Sequence, residues 1–256
     1  MKVKYASLDL ELSEHFRLAL AGFPLPVDIR RLAQMREVLQ RPVEMDGETP
    51  TYYMYRGVAS EKERATYKHK SMRFDITVVP SMMLGDEYNK TYGHYHPEAS
   101  NGLSFPEIYE VIEGEAHYLL QERGKTDSEA KRVYLVHAKA GEKVLIPPNF
   151  GHITINKGPS TLVMANITEG TFKSDYAPYK KCRGGAYYIA KAGKGEAEKN
   201  PLYSSAGKLA KISASEFNDK VSKKLAASLK SAEMYSLFVK NPGMFDFLVR
   251  PELVKV

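Results

Sequence analysis

The sequence predicts an all-β core with additions at both ends, and three observations point to it. Between Tyr52 and about Ile189, short alternating segments follow one another: YYMYRG, RFDITVVP, TYGHYH, EIYEVIEG, AHYLLQER, RVYLVHA, KVLIPP, HITIN, TLVMANI and AYYIAK. Turn signals separate them at short intervals, among them Glu113-Gly114, Gly124-Lys125, Ala140-Gly141 and Lys157-Gly158. Helical periodicity is confined to the flanks. Many short strands with regular turns build an antiparallel sandwich or barrel, and a small barrel can enclose one ligand pocket.

Residues 1–25 form an extension rich in Leu and Phe that ends in the turn-prone FPLPVD. Asp28 is placed to cap a short helix, IRRLAQMREVLQ, which must stop before Pro42. The strand region follows. After the Gly/Lys-rich KAGKGEAEKNP, Ser213 and Glu216 form a capping-box pattern. Phe217, Val221, Leu225 and Leu229 then recur at helix spacing until Asn241-Pro242. The expected organisation is an N-terminal extension over 1–50, a barrel over 51–190 and a C-terminal extension with a helix over 191–256. That tail is expected to pack on the barrel or on a dimer partner. There is no internal repeat.

At 256 residues the chain can bury a substantial core, and 43% apolar with 27% charged residues is ordinary for a soluble globular protein. The net charge is +6, but the lysines are spread along the chain and the densest group, at 220–224, falls on a helical pattern. A solvated helix face explains it, so no nucleic-acid partner is expected. No apolar run has the length of a membrane span, and MKVKYASLDLELSEHF lacks a signal-peptide core. A cytoplasmic protein with no membrane partner is expected. The single cysteine, Cys182, excludes an intrachain disulfide and a thiolate cluster, and no His/Asn framework accompanies it for nucleophilic work.

The chemistry lies in two stretches. TYGHYHPEASNGLSFPEIYEVIEG, from Thr91 to Gly114, carries His94, His96 and Glu107; GEKVLIPPNFGHITIN, from Gly141, carries His152. Three imidazoles and a carboxylate on β-type sequence are a ligand set for a divalent metal. His94 and His96 are two apart, so on a strand both leave the same face. Without thiolates the site must use nitrogen and oxygen donors, which suits iron(II), manganese, nickel or zinc. His117 and His137 fall outside both stretches and are expected to be ordinary strand histidines; His15 and His69 have no identifiable partner.

These residues resemble the two motifs of the cupin superfamily. The first is His-x-His, a spaced Glu and a following Gly, matched by His94, His96, Glu107 and Gly114. The second is Gly, five residues, Pro, then His and a trailing Asn, matched by Gly141, Pro147, His152 and Asn156. Two departures are visible: the gap between His96 and Glu107 is longer than usual, and Asn149 stands where the superfamily has Gly. Within the cupins the chain resembles the cupin-type phosphoglucose isomerases, through DITVVP, LGDEYNKTYGHYHP, EIYEVIEGEAHYLLQ, VLIPPNFGHITIN and KNPLY, across roughly residues 26–203. The resemblance implies a cupin (double-stranded β-helix, jelly-roll) barrel. It implies one divalent ion per chain, iron(II) foremost, on His94, His96, Glu107 and His152. It further implies substrate phosphate at Thr77, Thr91 and Gly93, and a sugar site lined by Tyr52 and Tyr109. A dianionic sugar phosphate is consistent with the positive net charge. Thr168 and Ser174 stand where that family has a Tyr and a His, ahead of a retained Asp175-Tyr176.

The implied activity is interconversion of glucose 6-phosphate and fructose 6-phosphate, in glycolysis and gluconeogenesis, by a cytoplasmic homodimer. Proton transfer between adjacent carbons requires polarisation of the C1 and C2 oxygens and a base. Glu107 is the only carboxylate that the motif places in the site, and Tyr109, two residues on, shares its strand face. A carboxylate that also binds a cation is a weak base unless one oxygen stays free. Thr91 and Gly93 have opposite parity to His94, so either the backbone is irregular there or the preceding loop reaches over the pocket. The alternatives are a sugar-binding cupin without turnover and a metal-dependent oxygenase, which would consume oxygen.

Overall fold

The computed structural model of the protein describes residues 2–191 and 196–254. Residues 192–195, within the Gly/Lys-rich stretch, lie outside the described residues. The core strands are β1 (Asp28–Arg31), β2 (Pro50–Tyr55), β3 (Met72–Val79), β4 (Glu107–Glu113), β5 (Glu115–Arg123), β6 (Glu129–Lys139), β7 (Lys143–Ile146), β8 (Phe150–Ile155), β9 (Leu162–Glu169) and β10 (Leu209–Ser213). One antiparallel sheet runs β7-β4-β9-β3-β2-β1. The other runs β8-β5-β6 and is completed by Ser205–Ala206 and β10, both parallel to β6.

The two sheets face each other: Tyr118 of β5 meets Tyr109 of β4 with ring centroids 5.3 Å apart and points its hydroxyl at Met164 of β9, 3.7 Å away. This is the expected all-β core, in two facing sheets, although among the described residues the ladders do not join into one continuous ring of strands. The chain passes from one sheet to the other at Gly114, between β4 and β5. Its φ is +79°, and a Cβ there would sit 2.8 Å from the Thr161 carbonyl oxygen, so the motif's glycine is a steric requirement.

β3 is buried on both faces. Phe74, Ile76 and Val78 point away from the second sheet, while Asp75 and Thr77 point towards it. The outward layer is covered by a four-stranded N-terminal meander (Lys2–Tyr5, Leu8–Leu12, Leu18–Leu20, Phe23–Pro24), by α2 (Arg64–His69) and by α5 (Met234–Lys240). Tyr5, Tyr67 and Tyr235 all pack on Phe74, and Tyr67 stacks on Phe238 at 4.2 Å. Glu110, on the same outward side of β4, accepts from the Tyr5 hydroxyl (2.5 Å) and the Met234 amide (2.7 Å) and pairs with Lys143 (3.0 Å). One buried carboxylate thus ties both chain ends to a motif strand.

Three expectations need correction. Asp28 does not cap a helix: it begins β1, and the helix is only α1 (Leu32–Met35) plus a 3-10 turn over Arg36–Val38. Its N-cap is Arg31, whose amide is held by the Gln34 side chain at 3.0 Å. TYGHYH is not a strand; it meets the second sheet at the isolated bridge of His94 with His152 and through Thr91, which bonds Thr154. The C-terminal helix is two helices. α4 (Ala214–Ser228) has the expected Ser213/Glu216 capping box, is interrupted at Ser222, and ends before α5 begins at Met234. Asn218 of α4 covers the free side of β7: its Oδ1 accepts from the Leu145 amide (2.9 Å) and its Nδ2 donates to the Lys143 carbonyl (2.7 Å). No helix among the described residues is long and apolar enough to cross a membrane.

Candidate metal centre

β4 and β9 of one sheet, β8 of the other, and the irregular segment before His94 converge on a single cavity. His94, His96, Glu107 and His152 place one donor atom each within 4.8 Å of one another. His96, Glu107 and His152 are buried, at 4%, 3% and 1% exposure, and His94 is half-buried beside the cavity. His96 Nε2 lies 3.3 Å from His94 Nε2 and 3.4 Å from Glu107 Oε2; His152 Nε2 lies 3.1 Å from the same carboxylate oxygen. On the far side of its ring, His96 Nδ1 is 2.8 Å from the Phe105 carbonyl, which fixes the ring with Nε2 inward.

The electrostatics suit a cation. Burial, together with the charge that either neighbouring imidazole would carry, holds His94 well below the ordinary histidine range. Burial lowers His152 too, against the pull of Glu107. Neutral imidazoles keep lone pairs for a metal. Burial pushes Glu107 up, but the His152 and His96 rings beside it outweigh burial and leave the carboxyl below its usual range. Glu107 Oε2 is buried without a hydrogen-bond partner, among three ring nitrogens. A buried carboxylate oxygen in that position costs free energy unless something positive meets it, so this donor set fits a divalent ion.

Every residue expected in the site lines the cavity or belongs to the cluster. Tyr52, Thr77, Thr91, Gly93, His94, His96, Glu107 and Tyr109 form its walls, and His152 closes the ligand group behind them. The parity problem at Thr91 and Gly93 is answered by an irregular backbone. Gly93 has φ +86°, and a Cβ there would fall 2.6 Å from Ile153 and 2.7 Å from Tyr179. Thr91 also holds the fold together, since its Oγ1 accepts the Thr154 amide at 2.9 Å and stitches the segment to β8. The Tyr109 hydroxyl is 3.2 Å from His152 Nε2; burial and the charge of Glu107 keep its proton on. Thr168 and Ser174 also line the cavity, and the Thr168 hydroxyl is buried without a partner.

The two departures from the cupin pattern are one structural feature. Asn149 has φ +66°, the left-handed region where Asn substitutes for Gly at modest cost. Its side chain holds the long loop between His96 and Glu107: Oδ1 accepts from Ser104 N (3.0 Å) and Nδ2 donates to Gly102 O (3.1 Å), while Ser104 Oγ accepts from Asn149 N (2.7 Å).

Sequence reasoning missed a polar group on the cavity face of the six-stranded sheet. Asp75 and Asn166 are cross-strand partners, as are Asn166 and Tyr109. Asn166 Nδ2 donates to Glu107 Oε1 at 2.7 Å. Asp75 takes Arg73 Nε at 2.8 and 2.9 Å and the Gly57 amide at 2.9 Å, with Arg56 at 3.5 Å; burial pushes its carboxyl up against those cations. Alternate polar positions in RFDITVVP and TLVMANI were the available signal.

A family model described as "Glucose-6-phosphate isomerase (GPI)" matches residues 27–205. Glucose-6-phosphate isomerase of Thermococcus litoralis is 26% identical over 181 residues, which is 68% of this chain and 86% of that protein. Its counterpart in Thermococcus onnurineus is 28% identical over 160 residues, covering 62% and 77%. A solved oxalate oxidase structure superposes with a TM-score of 0.34 and 19% identity over 48% of this chain and 51% of that one, too low to carry an argument. The family match takes in more than half of the chain, with all four cluster residues and the cavity walls inside it, and the chain belongs to the glucose-6-phosphate isomerase family.

Proposed function

We propose that this protein interconverts glucose 6-phosphate and fructose 6-phosphate, with one divalent ion per chain on His94, His96, Glu107 and His152. One observation carries the reading: in a chain of this family, four donors converge at a cavity whose walls offer hydroxyls and a close backbone approach. Held by these four residues, a divalent ion would supply Lewis-acid polarisation of the C1 and C2 oxygens. Thr77, Thr91 and Gly93 hold the phosphate, and Tyr52 lines the sugar. Glu107 is the proposed base: Oε2 faces the imidazoles, while Oε1 takes one hydrogen bond from Asn166 and keeps a second lone pair for the proton. Tyr109, held protonated, donates to a substrate oxygen as charge develops there.

Iron(II) is our first assignment; manganese, nickel and zinc accept the same donors. We place the enzyme in the cytoplasm, in glycolysis and gluconeogenesis, as a homodimer. Residues 51–190 are taken as the catalytic unit. β1 and β10, from the flanking segments, hydrogen-bond into its sheets, so the extensions fold with it.

The test is an anaerobic coupled assay with fructose 6-phosphate, before and after chelation and with metal restored. Turnover that needs metal and no oxygen is expected. Absence of isomerisation, with oxygen consumed by the metal-loaded protein, would overturn the reading in favour of an oxygenase.

A further inference from the structure

We propose that Asn166 is a positioning residue that commits Glu107 to the metal through a single oxygen, an inference that rests on the metal-binding reading above. Asn166 lies on β9, a central strand of its sheet, with Tyr109 opposite on one side and Asp75 on the other. Asn166 is 6% exposed and Glu107 3%, so neither can be re-solvated without opening the core. The bond from Nδ2 to Oε1 is 2.7 Å long, in the range of a charge-assisted hydrogen bond.

The direction of that bond is fixed by its partners. A carboxylate accepts only, so the amide must present its NH2, because the carbonyl end would face another oxygen and repel it. Oε1 is then turned towards β9. Oε2, which has no hydrogen-bond partner, is the oxygen left facing His96 and His152. The consequence concerns how many positions on the ion remain open. Three imidazoles and one carboxylate oxygen would make four donors, which on a six-coordinate ion would leave two positions for substrate oxygens. A carboxylate bound through both oxygens would occupy one of those sites. Asn166 disfavours this by holding Oε1 towards β9 with a neutral donor that adds no charge.

The test uses full-length Asn166→Leu, which keeps the branching of the side chain, and Asn166→Ala. Cobalt(II) affinity is measured by competition with a chelator, and the visible spectrum of the cobalt-loaded protein reports coordination number. We expect binding weakened by about 10–100-fold, the usual effect of losing a partner to a ligating side chain, and a changed visible band, with melting of the Leu variant near wild type. Wild-type affinity and spectrum in either folded variant would overturn the inference and leave the isomerase reading standing. Failure of the wild-type protein to bind cobalt(II) or manganese(II) would instead remove the metal reading, and this inference with it.

Discussion

Two groups of histidines sit on opposite faces of the β8-β5-β6 sheet, and their difference shows what suits a cluster to a metal. On the inner face, His152 joins His94 and His96, and Glu107 reaches across from the other sheet. On the outer face, His117 and His137 are cross-strand partners, stacked at 4.5 Å with 21° between their rings. Glu115 bonds His137 at 3.0 Å, so this pair also has its carboxylate. Yet Lys157 and Lys211 bear on His117, and both pair with Glu196. Parallel stacking sets the ring nitrogens in separate planes that do not converge, and the lysines already supply positive charge. The inner group has converging nitrogens, an oxygen with no partner and a cavity in front. Histidine proximity is common to both; convergence of the donors and local charge are not.

The sharpest break in that comparison is metal content. His152→Ala should lower occupancy as much as His94→Ala despite the distance in sequence, and turnover should go with it. His117→Ala and His137→Ala should keep the ion. Metal analysis of the four purified variants decides this, and an ion lost from the outer-face variants would erase the distinction.

Next in size is Glu107→Gln, which keeps a coordinating carbonyl but removes the basic carboxylate. Turnover should fall by about 10²–10⁴, with partial metal retention. In deuterated water the wild type should place deuterium at C2, and the metal-loaded variant should exchange far more slowly. Wild-type exchange in that variant would make Glu107 a ligand only.

Thr91→Val should weaken fructose 6-phosphate binding by about 1.5–3 kcal/mol, the range for a hydrogen bond to a charged group, with metal content unchanged. Because Thr91 Oγ1 also accepts the Thr154 amide, thermal melting must be followed beside the Michaelis constant. A melting shift with an unaltered constant would reduce Thr91 to a stitch between segments.

The smallest effect belongs to the outer pair. Burial, then Lys157 and His137, lower His117 from 6.5 to about 4. The unfolded chain therefore binds a proton that the folded one refuses. The resulting stability is present above pH 6.5 and is lost as pH falls through about 4. His117→Gln should flatten the melting temperature against pH over that window. An identical acid slope in variant and wild type would assign it to other groups.

The ligand set and the strand region were legible in the sequence, because His-x-His, a spaced Glu and a distant Pro-flanked His carry local chemistry. The Ser213/Glu216 cap was legible for the same reason. What could not be read came from tertiary contacts. Asp28 looks like a helix cap, but pairing of β1 with β2 extends the backbone there and moves the cap to Arg31. TYGHYH alternates like a strand, yet Gly93 bends it where Ile153 and Tyr179 leave no room for a side chain. Asp75 and Asn166 lie in strings that read simply as strands. Only once the outer layer built on Phe74 is known does the polar side of those strands become the cavity wall.

The bond pair from Asn218 to β7 has a consequence for the protein in solution. An exposed strand edge is a template on which further chains can grow, each adding about 4.8 Å, until the product is a fibre. One carboxamide fills the amide of Leu145 and the carbonyl of Lys143, and on the second sheet β10 lies along β6 in the same protective sense. Both devices come from residues beyond 205, where the family match ends. The C-terminal segment is thus a terminator of sheet growth. A chain cut at 205 should bind amyloid dyes and sediment as large species at concentrations where the full chain does not; a truncated protein that stays monodisperse would show that the edges are safe without it.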